Sequence, residues 1–97
     1  MKVKIPHNGT KEQGIARIKQ IIDDAREKIK EQASEITEEW QGNVLSFAFS
    51  AQGQNISGTL TVYDSEYEIY AKLPLALRLF EGTIERMIEA EAKKLRL

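Results

Sequence analysis

The chain has 97 residues, of which 41% are hydrophobic and 30% charged, a composition typical of one folded domain over residues 1–97. Its 15 acidic and 14 basic side chains leave a formal net charge of -1, which argues against nucleic acid as a partner because phosphate binding needs a concentrated positive field. The absence of cysteine excludes disulfides and thiolate chemistry and favours the cytoplasm. No apolar run approaches the roughly 18 residues that a transmembrane helix needs, and no export signal is evident.

A strand and a long helix are predicted at the start of the chain. Lysine alternates with valine and isoleucine from Lys2 to Pro6, the period-2 pattern of a strand with one covered face. Thr10 and Gln13 then match a capping box at a helix start. Isoleucine and alanine recur at three- and four-residue steps as far as Ala33. We therefore expect an amphipathic helix from about Thr10 to Ala33 that lies on a sheet.

Four consecutive strands are predicted between about Ile36 and Leu73, each with one apolar and one polar face. The turn sequences "GN", "QGQ" and "DS" separate them, so neighbouring strands are expected to pair antiparallel. An apolar sheet face of this kind must be covered by another layer. The predicted apolar face consists of Leu45, Phe47, Phe49, Ala51, Ile56, Gly58, Leu60, Val62, Tyr67, Ile69, Ala71 and Leu73.

A second amphipathic helix is predicted from about Glu81, because Ile84, Met87, Ile88 and Leu95 follow at helical spacing. It supplies the rest of the cover for the sheet. The expected fold class is α+β: an antiparallel meander sheet with two amphipathic helices packed on one face, in the order β-α-β-β-β-β-α.

Four motifs occur in this order along the chain: "KVKIPH" at the start, "W-x-G-N-x-L-x-F-x-F" from Trp40, "S-G-T-L-T-V-x-D" from Ser57, and "L-P…F-x-G-x-I-E" from Leu73. Together they resemble the small bacterial polyhydroxyalkanoic acid system (granule-associated region) proteins. The resemblance covers nearly the whole chain. It implies a cytoplasmic protein linked to polyhydroxyalkanoate synthesis or use, with the granule surface or granule proteins as partners. It brings no catalytic residue to this sequence.

No catalytic, metal or cofactor site is predicted, and the protein is expected not to be an enzyme. His7 is the only histidine, and no G-x-S-x-G elbow accompanies it, so a turn position is favoured over a general-base role. Asp23 and Asp24 lie on the solvated side of the first predicted helix and do not form a ligand set with recognisable spacing.

Two single residues are assigned structural positions. Trp40, the only tryptophan, is predicted at the core or its edge rather than in a binding platform. Gly58 lies in the middle of a strand on the apolar side, where it is expected to allow close approach of a helix or a large neighbour.

The segment "YAKLPLALRLFEG" is unusually apolar for a connection between a strand and a helix. One interpretation is that Leu75, Leu77 and Phe80 close the end of the core while Arg78 points outward, and this is favoured because a small domain needs its large apolar side chains inside. The other is that Leu75, Leu77, Arg78, Leu79 and Phe80 form an exposed apolar contact that adsorbs to a polymer or lipid-like surface.

Two alternative functions remain open from the sequence. The polar face of the predicted sheet, rich in serine and threonine with Tyr63 and Tyr70, is expected to face water, but it could instead form a homodimer or a protein-interaction surface unrelated to polymers. A carrier of a small apolar ligand would need a cavity between sheet and helices.

Overall fold

One antiparallel sheet and two long helices form the fold in the computed structural model, which describes all 97 residues. A third, four-residue helix connects the last strand to the last long helix. The elements in chain order are β1 (Lys2–Pro6), α1 (Lys11–Gln32), β2 (Ser34–Gln41), β3 (Val44–Ala51), β4 (Gln54–Tyr63), β5 (Glu66–Lys72), α2 (Leu75–Arg78) and α3 (Glu81–Leu95).

The five strands are arranged in the order β1-β5-β4-β3-β2, and every neighbouring pair is antiparallel. Strands β2 to β5 therefore form the predicted meander, and β1 extends it beyond β5. The predicted α+β class and strand order are confirmed, with α2 and α3 standing where one helix was expected. The second strand begins at Ser34, two residues earlier than predicted, with an irregular register between Ser34 and Thr37.

The predicted start of α1 is confirmed by its capping box. The Thr10 hydroxyl accepts a hydrogen bond from the Gln13 amide at 3.2 Å, and the Gln13 side chain accepts one from the Thr10 amide at 3.0 Å. These two bonds satisfy amide groups that a helix start leaves without partners. The 22 residues of α1 extend roughly 33 Å at 1.5 Å per residue, about the length of the 10-residue strand β4 at roughly 3.3 Å per residue.

The apolar face of the sheet forms the core under the helices. Leu45 and Leu60 are cross-strand partners, as are Val62 and Tyr67, and this pairing follows the predicted alternation. Gly58 lies opposite Phe47, and a Cβ on Gly58 would stand 3.0 Å from the Phe47 ring and overlap the Tyr70 carbonyl oxygen. The close approach predicted at Gly58 is therefore made first by the backbone of β5 and then by the Phe47 ring. The buried core cluster consists of Val3, Ile5, Ile18, Leu45, Val62, Tyr67 and Ala92.

The two long helices diverge across the sheet. At one end they meet, because the Arg17 guanidinium donates to the Leu95 carbonyl at 2.6 Å. Farther along, Arg26 of α1 bonds Glu38 on the edge strand β2, whereas the start of α3 is bound to the opposite edge, where Glu81 lies 2.7 Å from the Met1 ammonium group. Since the two edge strands of a five-stranded sheet are about 19 Å apart, the helices are farther apart at this end than where Arg17 meets Leu95.

The inward face of α3 differs in part from the prediction. Ile84 and Ile88 are half-buried as expected, but Met87 and Leu95 are exposed, and Ala92 is the residue of α3 that is fully buried. A small side chain at this position lets α3 approach the sheet closely. None of the helices is both long and apolar enough to cross a membrane.

Candidate functional site

The segment between β5 and α3 forms a short helix that projects from the end of the sheet. Leu73 is the last buried residue before this segment, and Pro74 then directs the chain into the single turn of α2. The amides of Leu77 and Phe80 donate to the carbonyls of Pro74 and Leu77 at 2.9 and 3.0 Å. The turn thus satisfies its own backbone and does not need to enter the core to do so.

The side chains of this segment are largely exposed, so the favoured interpretation that Leu75 and Phe80 close the core is wrong. Leu75 is 79% exposed, Leu79 90% and Phe80 56%. Leu77 is half-buried, while Arg78 faces solvent. The predicted apolar contact is therefore a helical turn rather than an extended loop, and Leu77 contributes little to its outer surface.

Besides Leu75 and Phe80, a third apolar residue of this surface was expected to cover the core. Met87 is 62% exposed and follows Phe80 by seven residues, or two helical turns, so both lie on one side of the α2–α3 unit. We use the name α2 patch for the exposed side chains Leu75, Leu79, Phe80 and Met87. Exposed apolar side chains clustered in this way are candidates for an interaction surface.

The base of the α2 patch is fixed to the sheet by polar contacts. The Met1 ammonium group donates to the Ala71 carbonyl at 3.0 Å and lies 2.7 Å from the Glu81 carboxylate. The carboxylate belongs to the first turn of α3, where a negative charge is also favoured by the helix dipole. These contacts hold the start of α3, and with it the patch, against β1 and β5.

A second apolar feature is an open groove between the last turns of α1 and the β2–β3 edge of the sheet. Its volume is about 1190 Å³. Charged side chains border it: Arg26 donates to Asp23 at 3.0 Å and to Glu38 at 2.8 Å, and these two hydrogen bonds raise the pKa of the Arg26 guanidinium. We use the name α1 groove for this feature, whose apolar lining includes Ile22, Ile29, Ile36, Leu45, Phe47 and Phe49.

His7 is part of the core rather than an exposed turn residue. Its Nε2 lies 2.8 Å from the Tyr63 carbonyl oxygen, to which it donates, and its ring centroid lies 4.5 Å from that of Tyr67. A Cβ on Gly14 would come within 3.2 Å of the His7 ring, so α1 closes over it. Burial raises the pKa of the neighbouring Tyr67 hydroxyl. The predicted preference for a structural histidine agrees with this packing, although His7 lies inside and not at the surface.

Trp40 and the polar sheet face occupy the predicted positions. Trp40 is half-buried against the core, with the Lys19 ammonium 5.3 Å from its ring centroid, an arrangement that covers its outer face. On the other side of the sheet Tyr63 and Tyr70 are exposed, and Lys2 lies 3.8 Å from Glu68. No three potential ligands among His, Asp and Glu side chains converge as a metal site.

Comparison with known proteins identifies the family. A family model described as "Putative polyhydroxyalkanoic acid system protein" matches residues 1–95. No curated protein and no solved structure matches the chain. The matched range contains all the elements described above, including the α2 patch and the α1 groove. The chain therefore belongs to the polyhydroxyalkanoic acid system protein family.

Proposed function

We propose that this protein is a non-enzymatic accessory protein of polyhydroxyalkanoate synthesis or use, and that it associates with the granule surface in the bacterial cytoplasm through the α2 patch. The observation that carries the proposal is the exposure of Leu75 and Leu79 at 79% and 90% in a member of this family. Side chains so exposed contribute little to the fold, and they are available for an external contact.

The position of the patch supports adsorption. It lies at one end of the sheet on a helical turn that satisfies its own backbone hydrogen bonds, so contact with a polymer surface requires no unfolding. Arg78 is exposed within the same turn, and its guanidinium can remain hydrated at the rim while the leucines enter an apolar phase. The core position of His7, the only histidine, supports the non-enzymatic part of the proposal.

Co-sedimentation with isolated polyhydroxyalkanoate granules tests the proposal. The test variant is Leu75→Glu/Leu79→Glu, which adds two negative charges at exposed positions and is expected to keep its fold. Burial of a leucine side chain contributes about 1.5–3 kcal/mol, so losing two of them should weaken adsorption by roughly 100-fold or more. We expect the wild type to pellet with the granules and this variant to stay in solution.

The matched control is Tyr63→Glu/Tyr70→Glu, which adds the same two charges on the opposite side of the sheet, at positions that are also exposed. It should pellet like the wild type. If the folded leucine variant pellets as well as the wild type, adsorption through the α2 patch is refuted. If both double variants stay in solution, the binding depends on charge rather than on the leucines, and the proposed mechanism fails in that case too.

A further inference from the structure

The α2 patch and the α1 groove lie at the same end of the sheet. Strand β5 ends with Lys72 opposite Ser57 near the start of β4, and α2 follows it directly. At this end β3 also finishes and β2 begins, since Ser34 pairs with Ser50. The groove is lined there by Ala33 and Ala51. One end of the molecule therefore carries both an exposed apolar projection and an open apolar recess.

The two features lie on opposite flanks of that end. In the strand order β1-β5-β4-β3-β2, the patch follows β5 and adjoins Glu81, which is bound to Met1 just before β1, whereas the groove borders β3 and β2. Consider two copies that meet at this end and are related by a two-fold axis normal to the sheet. The rotation exchanges left and right flanks but keeps the helices on the same side, so each patch faces the partner's groove. One axis thus satisfies both contacts at once, as an isologous interface requires.

We propose that the chain forms a homodimer in which the α2 patch of each copy inserts into the α1 groove of the other. Insertion of a helical apolar face into an apolar groove is a recurrent mode of protein recognition. A volume of about 1190 Å³ exceeds what a drug-sized ligand fills, which leaves room for the larger apolar surface that the four side chains of the α2 patch present. The groove presents isoleucine and phenylalanine side chains to them.

The charges around the two features are complementary. Residues 26–39, which border the groove, contain five glutamates and three basic side chains, whereas residues 72–87, around the patch, contain three basic side chains and two glutamates. Glu81 is already bound to the Met1 ammonium group. Arg78 beside the patch and Glu31 beside the groove make no ion pair within the chain. The two-fold arrangement brings these opposite charges together and favours the patch-to-groove orientation over patch-to-patch contact.

Dimer formation and granule adsorption use the same leucines and therefore exclude each other. The dimer proposal does not depend on the proposed granule function. Only the competition between dimer formation and adsorption rests on that function. A dimer keeps Leu75 and Leu79 out of water until a larger apolar surface displaces the partner.

Sedimentation equilibrium of the purified full chain tests the dimer. The wild type should have twice the 11.0 kDa mass of the monomer. Two variants should each be monomeric: the patch variant Leu75→Glu/Leu79→Glu, and the groove variant Ile29→Glu/Ile36→Glu, whose two positions are exposed in the single chain. Mixing them should restore a dimer, because the intact patch of one meets the intact groove of the other. Tyr63→Glu/Tyr70→Glu should remain a dimer.

Three results would overturn the proposal. They are a wild type that stays monomeric up to about 1 mM, a mixture of the two variants that stays monomeric although both are folded, and a dimer that is lost only on Tyr63→Glu/Tyr70→Glu. The last would place the interface on the polar sheet face. Granule pelleting separates this proposal from the function above: the groove variant keeps its patch and should pellet at least as well as the wild type, whereas failure of adsorption leaves the dimer mass unchanged.

Discussion

The close packing of α1 on the sheet depends on the absence of a side chain at Gly14. The substitution Gly14→Ala tests this packing. A Cβ there would lie 2.7 Å from Cγ1 of Val62 and 3.2 Å from Nε2 of His7. Val62 is fully buried, and the His7 nitrogen is held by the Tyr63 carbonyl. Neither neighbour can move aside freely.

Two effects oppose each other in this variant. Alanine is a better helix former than glycine by about 1 kcal/mol. Carbon atoms, however, prefer separations of about 3.5–4.0 Å, so α1 or Val62 must shift by roughly 1 Å, and such overpacking costs about 1–3 kcal/mol. Since Val62 is enclosed on all sides, we expect the steric effect to prevail and the free energy of unfolding to fall by about 1 kcal/mol.

Gly82→Ala is the matched control, because Gly82 also lies in a helix but has room for a Cβ. Its nearest neighbour would be the Arg86 guanidinium at 3.6 Å. This variant should be unchanged or stabilised by up to about 1 kcal/mol. Thermal unfolding followed by circular dichroism distinguishes the two, since about 1 kcal/mol shifts the midpoint of a domain this size by roughly 4–8 °C. If Gly14→Ala raises the midpoint of thermal unfolding as much as Gly82→Ala does, the close packing of α1 at Gly14 is refuted.

Two further predictions concern Thr10, at the start of α1, and Tyr67, in the core. Thr10→Ala removes the capping hydrogen bond to the Gln13 amide and should lower the free energy of unfolding in urea by about 1 kcal/mol; an unchanged urea midpoint would mean that the cap does not stabilise α1. Burial raises the pKa of Tyr67, which means that the folded state favours the neutral hydroxyl. The resulting contribution to the free energy of unfolding is complete below the unfolded pKa of about 10 and is lost as the pH rises above it. The stability difference between wild type and Tyr67→Phe should therefore be constant from pH 7 to about 9.5 and change above it, in thermal melts at each pH; a difference that stays constant to pH 11 would contradict the assignment.

The sequence predicted the parts of the fold that depend on alternating apolar residues in strands and on the capping residues of α1. The pairing of Leu45 with Leu60 and of Val62 with Tyr67 follows from period-2 patterns, because one face of an antiparallel sheet must be covered. The start of α1 follows from Thr10 and Gln13, since that spacing has a local hydrogen-bonding reason. Both signals depend on residues close together in the chain.

The candidate site was predicted only in part because it depends on tertiary placement. The segment from Leu75 to Phe80 was correctly singled out as apolar, but its hydrophobicity favoured burial, and only the position of α2 beyond the last strand makes it exposed. Met87 has the helical spacing of a core residue, yet it lies on the outer side of α3. No local pattern reports whether a helix is long enough, or aligned well enough, to cover a given strand.

The α1 groove follows from the same placement. Two helices of about 10 Å diameter, set side by side, could cover a five-stranded sheet about 19 Å wide, so the half-buried Phe47 and Phe49 do not reflect a shortage of helices. They line the gap between α1 and the β2–β3 edge: α1 is held close to the sheet at Gly14, and farther along Arg26 pairs with Glu38 beside this gap. An exposed ion pair is weak by itself, so the direction of α1 is set mainly by its packing at Gly14. A shift at Gly14 should therefore change the groove more than 10 Å away, which makes dimer mass in Gly14→Ala a second measure of the same contact.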